Sequence, residues 1–250
     1  MSISREGTGD HMVRRIARAI PPLRTAYRSL RDFSRRDPLI MALHAKIFEW
    51  RRLKLPEIEA ETFCPNIESV KIPAFHPFLA GEDAPLTDLF FLLSAGKARG
   101  ARRILEVGTF RARSTFALYL NCPDAHIVSY DIQVLPSPYR TALENAARVE
   151  LRHASFTASA ATLQGERPFD FIFIDGAHDI QSVCDDSRLA FELVDPTGLI
   201  IWHDYRQTGY FAPELQVPEA LEVVREGRQL FHVRGTTCAV YCPRALGNYR

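Results

Sequence analysis

The pattern of hydrophobic and polar positions becomes regular near residue 86. From there to about residue 204, short apolar runs rich in β-branched residues alternate with stretches in which apolar residues recur at helical spacing. Strands this apolar are typical of a parallel sheet whose two faces are both covered by helices. The pattern therefore predicts an α/β fold with a mostly parallel sheet. The predicted strands are 103–108, 126–131, 149–154, 169–175 and 198–204, and the predicted helices are 86–98, 113–121, 138–147, 158–164 and 179–193.

The end of the chain has a different pattern. Two apolar runs, 229–233 and 237–242, are separated by only three residues, Arg234, Gly235 and Thr236. So short a connection joins antiparallel strands, because parallel strands need a long crossover. We therefore expect a C-terminal hairpin that adds an antiparallel strand to the sheet.

The first part of the chain reads as a helical extension. Residues 12–31 place apolar side chains on one helical face and arginines on the other, with a break at Pro21 and Pro22, and a second helix is predicted over 38–53. A proline-containing connection follows over 56–85. We expect an extension over residues 1–83 and a separate α/β domain over 84–250. Docking of these helices on the domain or on a second subunit, as a homo-oligomer, is favoured over a surface-binding arm.

Charge and composition exclude some classes of protein. The formal net charge of +1 gives no overall sign of a nucleic-acid or membrane partner, although residues 1–55 hold thirteen Lys or Arg against five Asp or Glu. No run approaches the ~20 apolar residues of a membrane span, and no secretory signal is recognised. Five cysteines without a CxxC pair indicate reduced thiols. A cytoplasmic protein is expected.

A glycine directly follows the first strand of the regular region. Gly108 lets the backbone turn sharply and approach a ligand, and Ser114 or Thr115 could cap the helix that follows. The second and third glycines of a GxGxxG fingerprint would fall on Phe110 and Arg113, which disfavours a nicotinamide site. A purely structural turn remains an alternative.

An acidic residue ends the next strand. Asp131 lies 23 residues beyond Gly108. In nucleotide-binding α/β folds an acid at this position accepts hydrogen bonds from ribose hydroxyls. The alternative is that Asp131 only caps a turn.

Two further strand ends carry carboxylates and imidazoles. Asp175 and His178 follow one strand, and His203 and Asp204 follow the next, so the four side chains could converge on one rim of the sheet. Such a set could hold Mg²⁺ or another divalent cation, or a histidine could act as a base without metal. The alternatives are that Asp175 caps the helix near Asp179 and that the histidines are hydrogen-bonded structural residues.

The order of these motifs resembles the class I S-adenosylmethionine-dependent methyltransferases. The resemblance rests on ILEVGTFRARST, YD, FIFIDGAH and GLIIWHD, and it covers about residues 84–245. The branch most similar contains catechol O-methyltransferase-like and sugar or natural-product O-methyltransferases. It implies a Rossmann-like sheet with an antiparallel last strand, S-adenosylmethionine as cofactor and a small-molecule hydroxyl as methyl acceptor.

The resemblance also implies roles for single residues. Metal-dependent members place an Asp after the fourth strand and an Asp-Asn pair after the fifth, and here Asp175 and His203-Asp204 stand there as altered metal ligands. His178 stands where some members use a lysine base, so His178 and His203 are the candidate catalytic residues. The second loop glycine of this branch is Ala112 here. The implied cofactor-binding residues are Glu106, Gly108, Thr109, Phe110, Ser114, Asp131, Ser155 and Asp175.

The leading hypothesis is therefore a small-molecule O-methyltransferase. The loop 205–211 is a candidate substrate lid. The other hypotheses are a nucleotide-binding oxidoreductase and a non-catalytic binding protein whose basic N-terminal arm holds RNA or an acidic surface. The glycine pattern disfavours the first, and the second stays open.

Overall fold

The computed structural model describes residues 53–65, 70–73, 85–163, 168–206 and 215–243. The predicted helices of the N-terminal extension, and the loop after residue 206, lie outside these ranges. Within them, no helix has the length and apolarity needed to cross a membrane.

The described strands form one eight-stranded sheet in the order β1-β7-β8-β6-β5-β2-β3-β4. All neighbouring strands pair in parallel except β8, which runs antiparallel to both β6 and β7. The predicted fold class and the predicted C-terminal hairpin are both confirmed. The strands are β1 (Glu57–Ile58), β2 (Arg103–Val107), β3 (His126–Asp131), β4 (Val149–His153), β5 (Phe169–Ile174), β6 (Val194–Trp202), β7 (Leu230–Val233) and β8 (Ala239–Tyr241).

Six α-helices are described, and five of them match the predicted helices. The sixth, α6, is missing from the prediction, although Val217, Ala220, Leu221 and Val224 are buried at helical spacing. Two short 3-10 helices cover Ala60–Thr62 and Thr157–Ser159. The α-helices are α1 (Leu86–Ala98), α2 (Arg113–Asn121), α3 (Pro138–Leu143), α4 (Ala160–Leu163), α5 (Ile180–Leu193) and α6 (Val217–Val224).

The edge strand β1 extends the sheet toward the N-terminus. Glu57 and Ile58 pair in parallel with His232 and Val233 of β7. The sequence pattern treats these two residues as part of a connection. The domain boundary at residue 84 stays a prediction, and the sheet itself includes a strand before it.

Successive residues of the central strands are buried on opposite faces of the sheet. Ile104 of β2 packs in a cluster with residues of α1 and α2, whereas the adjacent Leu105 packs with residues of α5 and α6. Phe171 and Ile172 of β5 divide in the same way. Burial on both faces explains why these strands are apolar along their whole length. It also leaves the strand ends as the place for polar side chains.

The chain order reverses beside β2. The chain runs from β2 outward through β3 to β4, and returns to β5 on the other side of β2. In open α/β sheets, ligands bind beyond the carboxyl ends of the strands at such a reversal. The ends of β2 and β5 are joined there by a hydrogen bond from Asp175 N to Val107 O of 2.8 Å.

Gly108 stands at this reversal and cannot carry a side chain without rearrangement. Its φ of +100° lies in the left-handed region, and a Cβ atom would lie 2.1 Å from the carbonyl oxygen of Asp175. The turn after β2 therefore needs glycine for two separate reasons, conformation and close approach.

We expect Gly108→Ala to lower the free energy of unfolding by about 2–5 kcal/mol, since it adds a backbone clash to the cost of left-handed backbone. Gly227 is the matched control, because it has a φ of +83° but nothing within 4 Å of a built Cβ. Gly227→Ala should cost only about 1–2 kcal/mol. Urea unfolding of both variants measures the difference, and equal losses would show that the close approach at Gly108 does not constrain the fold.

Candidate active site

A pocket opens at the carboxyl ends of β2 and β5. Its wall is formed by the turn after β2, the starts of α1 and α2, and the residues that end β5 and β6. Five of the eight predicted cofactor residues line it, and the other three lie outside its lining. The five are Gly108, Thr109, Phe110, Ser114 and Asp175.

Glu106 lies beneath the turn. Its side chain is fully buried, and Oε2 accepts hydrogen bonds from Thr115 Oγ1 and, at 2.5 Å, from Ser129 Oγ. Burial raises the pKa of Glu106 to about 7. This carboxyl group therefore ties the end of β2 to α2 and β3 from below.

The helix after the turn begins without a side-chain cap. The expectation that Ser114 or Thr115 caps α2 is wrong, because the N-cap is Ala112 and no side chain bonds to it. Ala112 has a φ of +61° and is fully buried, packed with Tyr139 and Leu143. Left-handed backbone costs an alanine about 1–2 kcal/mol, and burial of its methyl group offsets part of this cost.

Asp131 joins the end of β3 to the turn after β2. Its Oδ2 accepts a hydrogen bond from Phe110 N at 2.5 Å, and its Oδ1 accepts one from Gln133 N at 2.7 Å. The carboxylate thus closes a local turn, as the structural alternative proposes. Each of its oxygens can still accept a further hydrogen bond from a ligand.

Ser155 lies beyond the end of β4 and outside the pocket lining. Its Oγ accepts a hydrogen bond from Ala158 N at 3.3 Å and lies 3.2 Å from Thr157 Oγ1. In this structure the side chain stabilises the start of a 3-10 turn.

The structure brings Asp175, His178, His203 and Asp204 together in one group, called here the Asp-His cluster. His178 Nε2 lies 2.9 Å from Asp204 Oδ2 and 3.8 Å from Asp175 Oδ1. His203 Nδ1 lies 3.2 Å from Asp175 Oδ1 and 3.4 Å from Asp204 Oδ2. The same two carboxylate oxygens therefore face both imidazoles.

Both carboxylates of the Asp-His cluster favour their charged form. Burial alone would raise the pKa of Asp175 and Asp204, but the two imidazoles hold both pKa values below the usual range. The neighbouring carboxylates raise the pKa of His178 to about 9. They also hold the pKa of His203 well above its usual value, against the effect of burial. Without a bound ion, the positive charge between the carboxylates comes from the imidazoles.

The contacts inside the cluster are short but poorly aligned. His178 Nε2 and His203 Nδ1 are buried, and neither has a hydrogen-bond partner among the described residues. A buried polar atom without a partner is costly. The two nitrogens and the two carboxylate oxygens therefore face one another without forming well-aligned hydrogen bonds.

The backbone at Asp204 turns its side chain into the cluster. Asp204 has a φ of +55°, a conformation that aspartate tolerates better than most residues. The flanking residues are fixed, because His203 N donates to Ile174 O at 3.0 Å and Tyr205 Oη accepts hydrogen bonds from Lys54 N and Leu55 N. Strained backbone of this kind is found preferentially at functional sites.

Helix α5 is capped without the help of Asp175. Asp179 is its N-cap, and its side chain accepts a hydrogen bond from Ser182 N at 3.0 Å. The alternative that Asp175 serves as a helix cap is therefore wrong, and its carboxylate faces the two histidines.

One residue of the site is missing from the sequence analysis. Asp88 of α1 is buried, lines the pocket, and places Oδ2 3.1 Å from His203 Nε2. The sequence feature that could have pointed to Asp88 is a carboxylate in a largely apolar predicted helix, LTDLFFLLSAG. A charged residue among buried apolar neighbours needs a partner.

Comparison with known proteins shows what this domain is similar to. Residues 91–205 match a family of methyltransferase domains. An O-methyltransferase from Bacillus cereus in complex with S-adenosylhomocysteine has a similar fold, with a TM-score of 0.51 and 24% identity over 66% of this chain and 84% of that chain. A protein from Staphylococcus aureus described as a caffeoyl-CoA O-methyltransferase has a TM-score of 0.54 and 17% identity over 65% and 87%. No curated protein matches the chain in sequence.

We expect Glu106→Gln to change how stability depends on pH. Between pH 4.5 and about 7 the unfolded chain ionises Glu106 while the folded protein keeps it protonated, so wild-type stability falls as pH rises through this window. The loss amounts to about 3 kcal/mol. Relative to wild type, the variant should gain about 2–3 kcal/mol between pH 5 and pH 8 in urea unfolding. Glu192→Gln, at an exposed position of α5, should gain nothing. If the difference in unfolding free energy between Glu106→Gln and wild type is the same at pH 5 and pH 8, the assignment is contradicted.

Proposed function

We propose that this chain is an S-adenosylmethionine-dependent methyltransferase that transfers a methyl group to a hydroxyl oxygen of a small molecule. One observation carries the proposal. The turn at Gly108 and two residues of the Asp-His cluster, Asp175 and His203, line the same pocket, so a cofactor and an acceptor hydroxyl would meet there. Methyl transfer needs little more than such a meeting in the correct orientation.

The cofactor would lie across the ends of β2 and β3. Gly108, Thr109 and Ser114 line the pocket and would contact its methionine part, and the turn leaves room there because Gly108 has no side chain. Asp131 would accept the ribose hydroxyls, with both oxygens held in place by backbone N–H groups. Ser155 is the candidate contact for adenine. Glu106 supports this arrangement from below, since it is fully buried.

The Asp-His cluster has the donor set of a divalent cation site. Ligand atoms of Asp175, His178 and Asp204 all lie within 4.8 Å of one another, and His203 Nδ1 faces the same oxygens. A metal ion would satisfy the unpartnered Nδ1 of His203. We propose Asp175, His203 and Asp204 as ligands of Mg²⁺ or another divalent cation. Such an ion would polarise the acceptor hydroxyl.

The proton of the acceptor hydroxyl would pass to His178. The side chain of His178 is 31% exposed and that of His203 only 7%, so more of the His178 ring is open to an acceptor. As the acceptor oxygen bonds to the methyl carbon, the carbon–sulfur bond breaks and its electrons remain on sulfur. The imidazole of His178, in its neutral form, takes the hydroxyl proton, and S-adenosylhomocysteine is the second product.

Three further expectations stay predictions. They are a cytoplasmic location, self-association through the N-terminal helices, and a lid formed by the loop 205–211. We expect the acceptor to be a small molecule with a hydroxyl group. A panel of sugars, phenols and natural products would identify it more closely.

The test is methyl transfer from labelled S-adenosylmethionine to such a panel, with wild type and His178→Ala compared on any acceptor found. We expect wild-type turnover on a hydroxyl compound, and a fall in kcat of about 10²–10⁴-fold in the variant because the proton acceptor is lost. Affinity for S-adenosylhomocysteine should not change.

His126→Ala is the control, since His126 is a partly exposed histidine at the other end of β3. It should turn over like wild type. Full activity of His178→Ala would exclude the proposed base, and methylation of nitrogen alone would contradict O-methylation.

A further inference from the structure

Asp88 is a buried carboxylate in the first turn of α1. Its side chain is 2% exposed and its neighbours on the helix are apolar. An acidic residue is common in the first turn of a helix, where it interacts with the free N–H groups and the helix dipole. No N–H group of α1 donates to Asp88 in this structure among the described contacts. Thr87 Oγ1 donates to Oδ1 at 3.4 Å, and the shorter contacts of the carboxylate come from other parts of the chain.

Two residues from distant elements donate to Asp88. In the turn between β7 and β8, Thr237 donates its backbone N–H to Oδ1 at 2.9 Å and its hydroxyl to Oδ2 at 2.7 Å. His203 Nε2 lies 3.1 Å from Oδ2. The backbone N–H of Thr237 can only donate, so the orientation of the carboxylate is fixed from that side. A carboxylate oxygen only accepts hydrogen bonds, so Nε2 of His203 donates to Asp88 and carries a proton.

The contact with Asp88 decides what His203 presents to the Asp-His cluster. When Nε2–H donates to Asp88, the other ring nitrogen, Nδ1, lies toward Asp175 Oδ1 at 3.2 Å and Asp204 Oδ2 at 3.4 Å. In the neutral ring this nitrogen carries the lone pair. Histidines that bind metals are held in the same way, with the far N–H donated to a carboxylate.

We propose that Asp88, locked by Thr237, is a positioning residue that sets the ring orientation and tautomer of His203 and so completes a divalent-cation site. The inference rests on the proposed function only in placing a cation at the Asp-His cluster. It makes the C-terminal hairpin part of the site, because Thr237 belongs to it. It also gives α1 a role beyond covering the sheet.

The test is calorimetric titration of the full chain with Mn²⁺ alone. We expect Asp88→Asn to bind Mn²⁺ about 10–100-fold more weakly than wild type. The Asn oxygen would still accept from Thr237 N–H, which turns the amide N–H groups toward His203. That arrangement favours a proton on Nδ1, where it blocks the ion. Asp185→Asn, the same change at an exposed position of α5, should bind like wild type.

Variants of Thr237 keep the proposal testable if Asp88→Asn does not fold. Thr237→Val removes the hydroxyl donor and leaves the backbone N–H. We expect weaker Mn²⁺ binding than in wild type, with the effect smaller than in Asp88→Asn. Thr237→Ser keeps the hydroxyl and should restore the affinity.

The tautomer can also be observed without metal or turnover. In ¹⁵N NMR of labelled imidazoles, the Nε2-bound proton of His203 should be protected from exchange in wild type and lose this protection in Asp88→Asn. Equal Mn²⁺ affinity and unchanged His203 signals in a folded Asp88→Asn variant would overturn the proposal. So would a wild-type protein that methylates its acceptor but binds no Mn²⁺, an outcome that leaves the proposed function standing.

Discussion

Two carboxylates held side by side set the requirements of the whole site. Asp175 and Asp204 follow adjacent parallel strands, and the pairing of Ile174 with Trp202 brings the ends of β5 and β6 together. Like charges this close repel unless positive charge lies between them. His178 and His203 supply that charge here, and a divalent cation would supply it better. The left-handed backbone at Asp204 and the contact between Asp88 and His203 both position the groups that meet this requirement for positive charge.

The sheet places these charged side chains beside a pocket that apolar residues also line. Because β2 lies next to β5, the turn at Gly108 comes against the backbone of Asp175, and the same crevice is lined by apolar residues such as Leu89, Leu92 and Phe173. A sulfonium compound could therefore lie on the β2 side and an oxygen nucleophile on the β5–β6 side. The reversal of chain order creates the crevice, and the missing side chain at Gly108 keeps it open.

Local patterns in the sequence predict most of the fold and the convergence of the cluster. Apolar runs mark the central strands, and residues that follow parallel strands meet at one edge. Asp88 could not be assigned in this way, because its partners His203 and Thr237 lie 115 and 149 residues away along the chain. Glu106 is a similar case. Its place beneath the turn depends on Ser129 of β3, a contact that only the packed sheet creates. The strand β1, with two residues, is too short to leave a pattern.

The central claim is that the turn at Gly108 and the carboxylate of Asp131 bind the adenosyl cofactor. Calorimetry with S-adenosylhomocysteine tests it directly, with Asp131→Ala compared against Asp124→Ala, the same change at an exposed position. The account expects wild type and Asp124→Ala to bind equally well, and Asp131→Ala to bind about 10–100-fold more weakly through loss of charged hydrogen bonds. Folded wild-type protein that releases no heat with S-adenosylhomocysteine would contradict it.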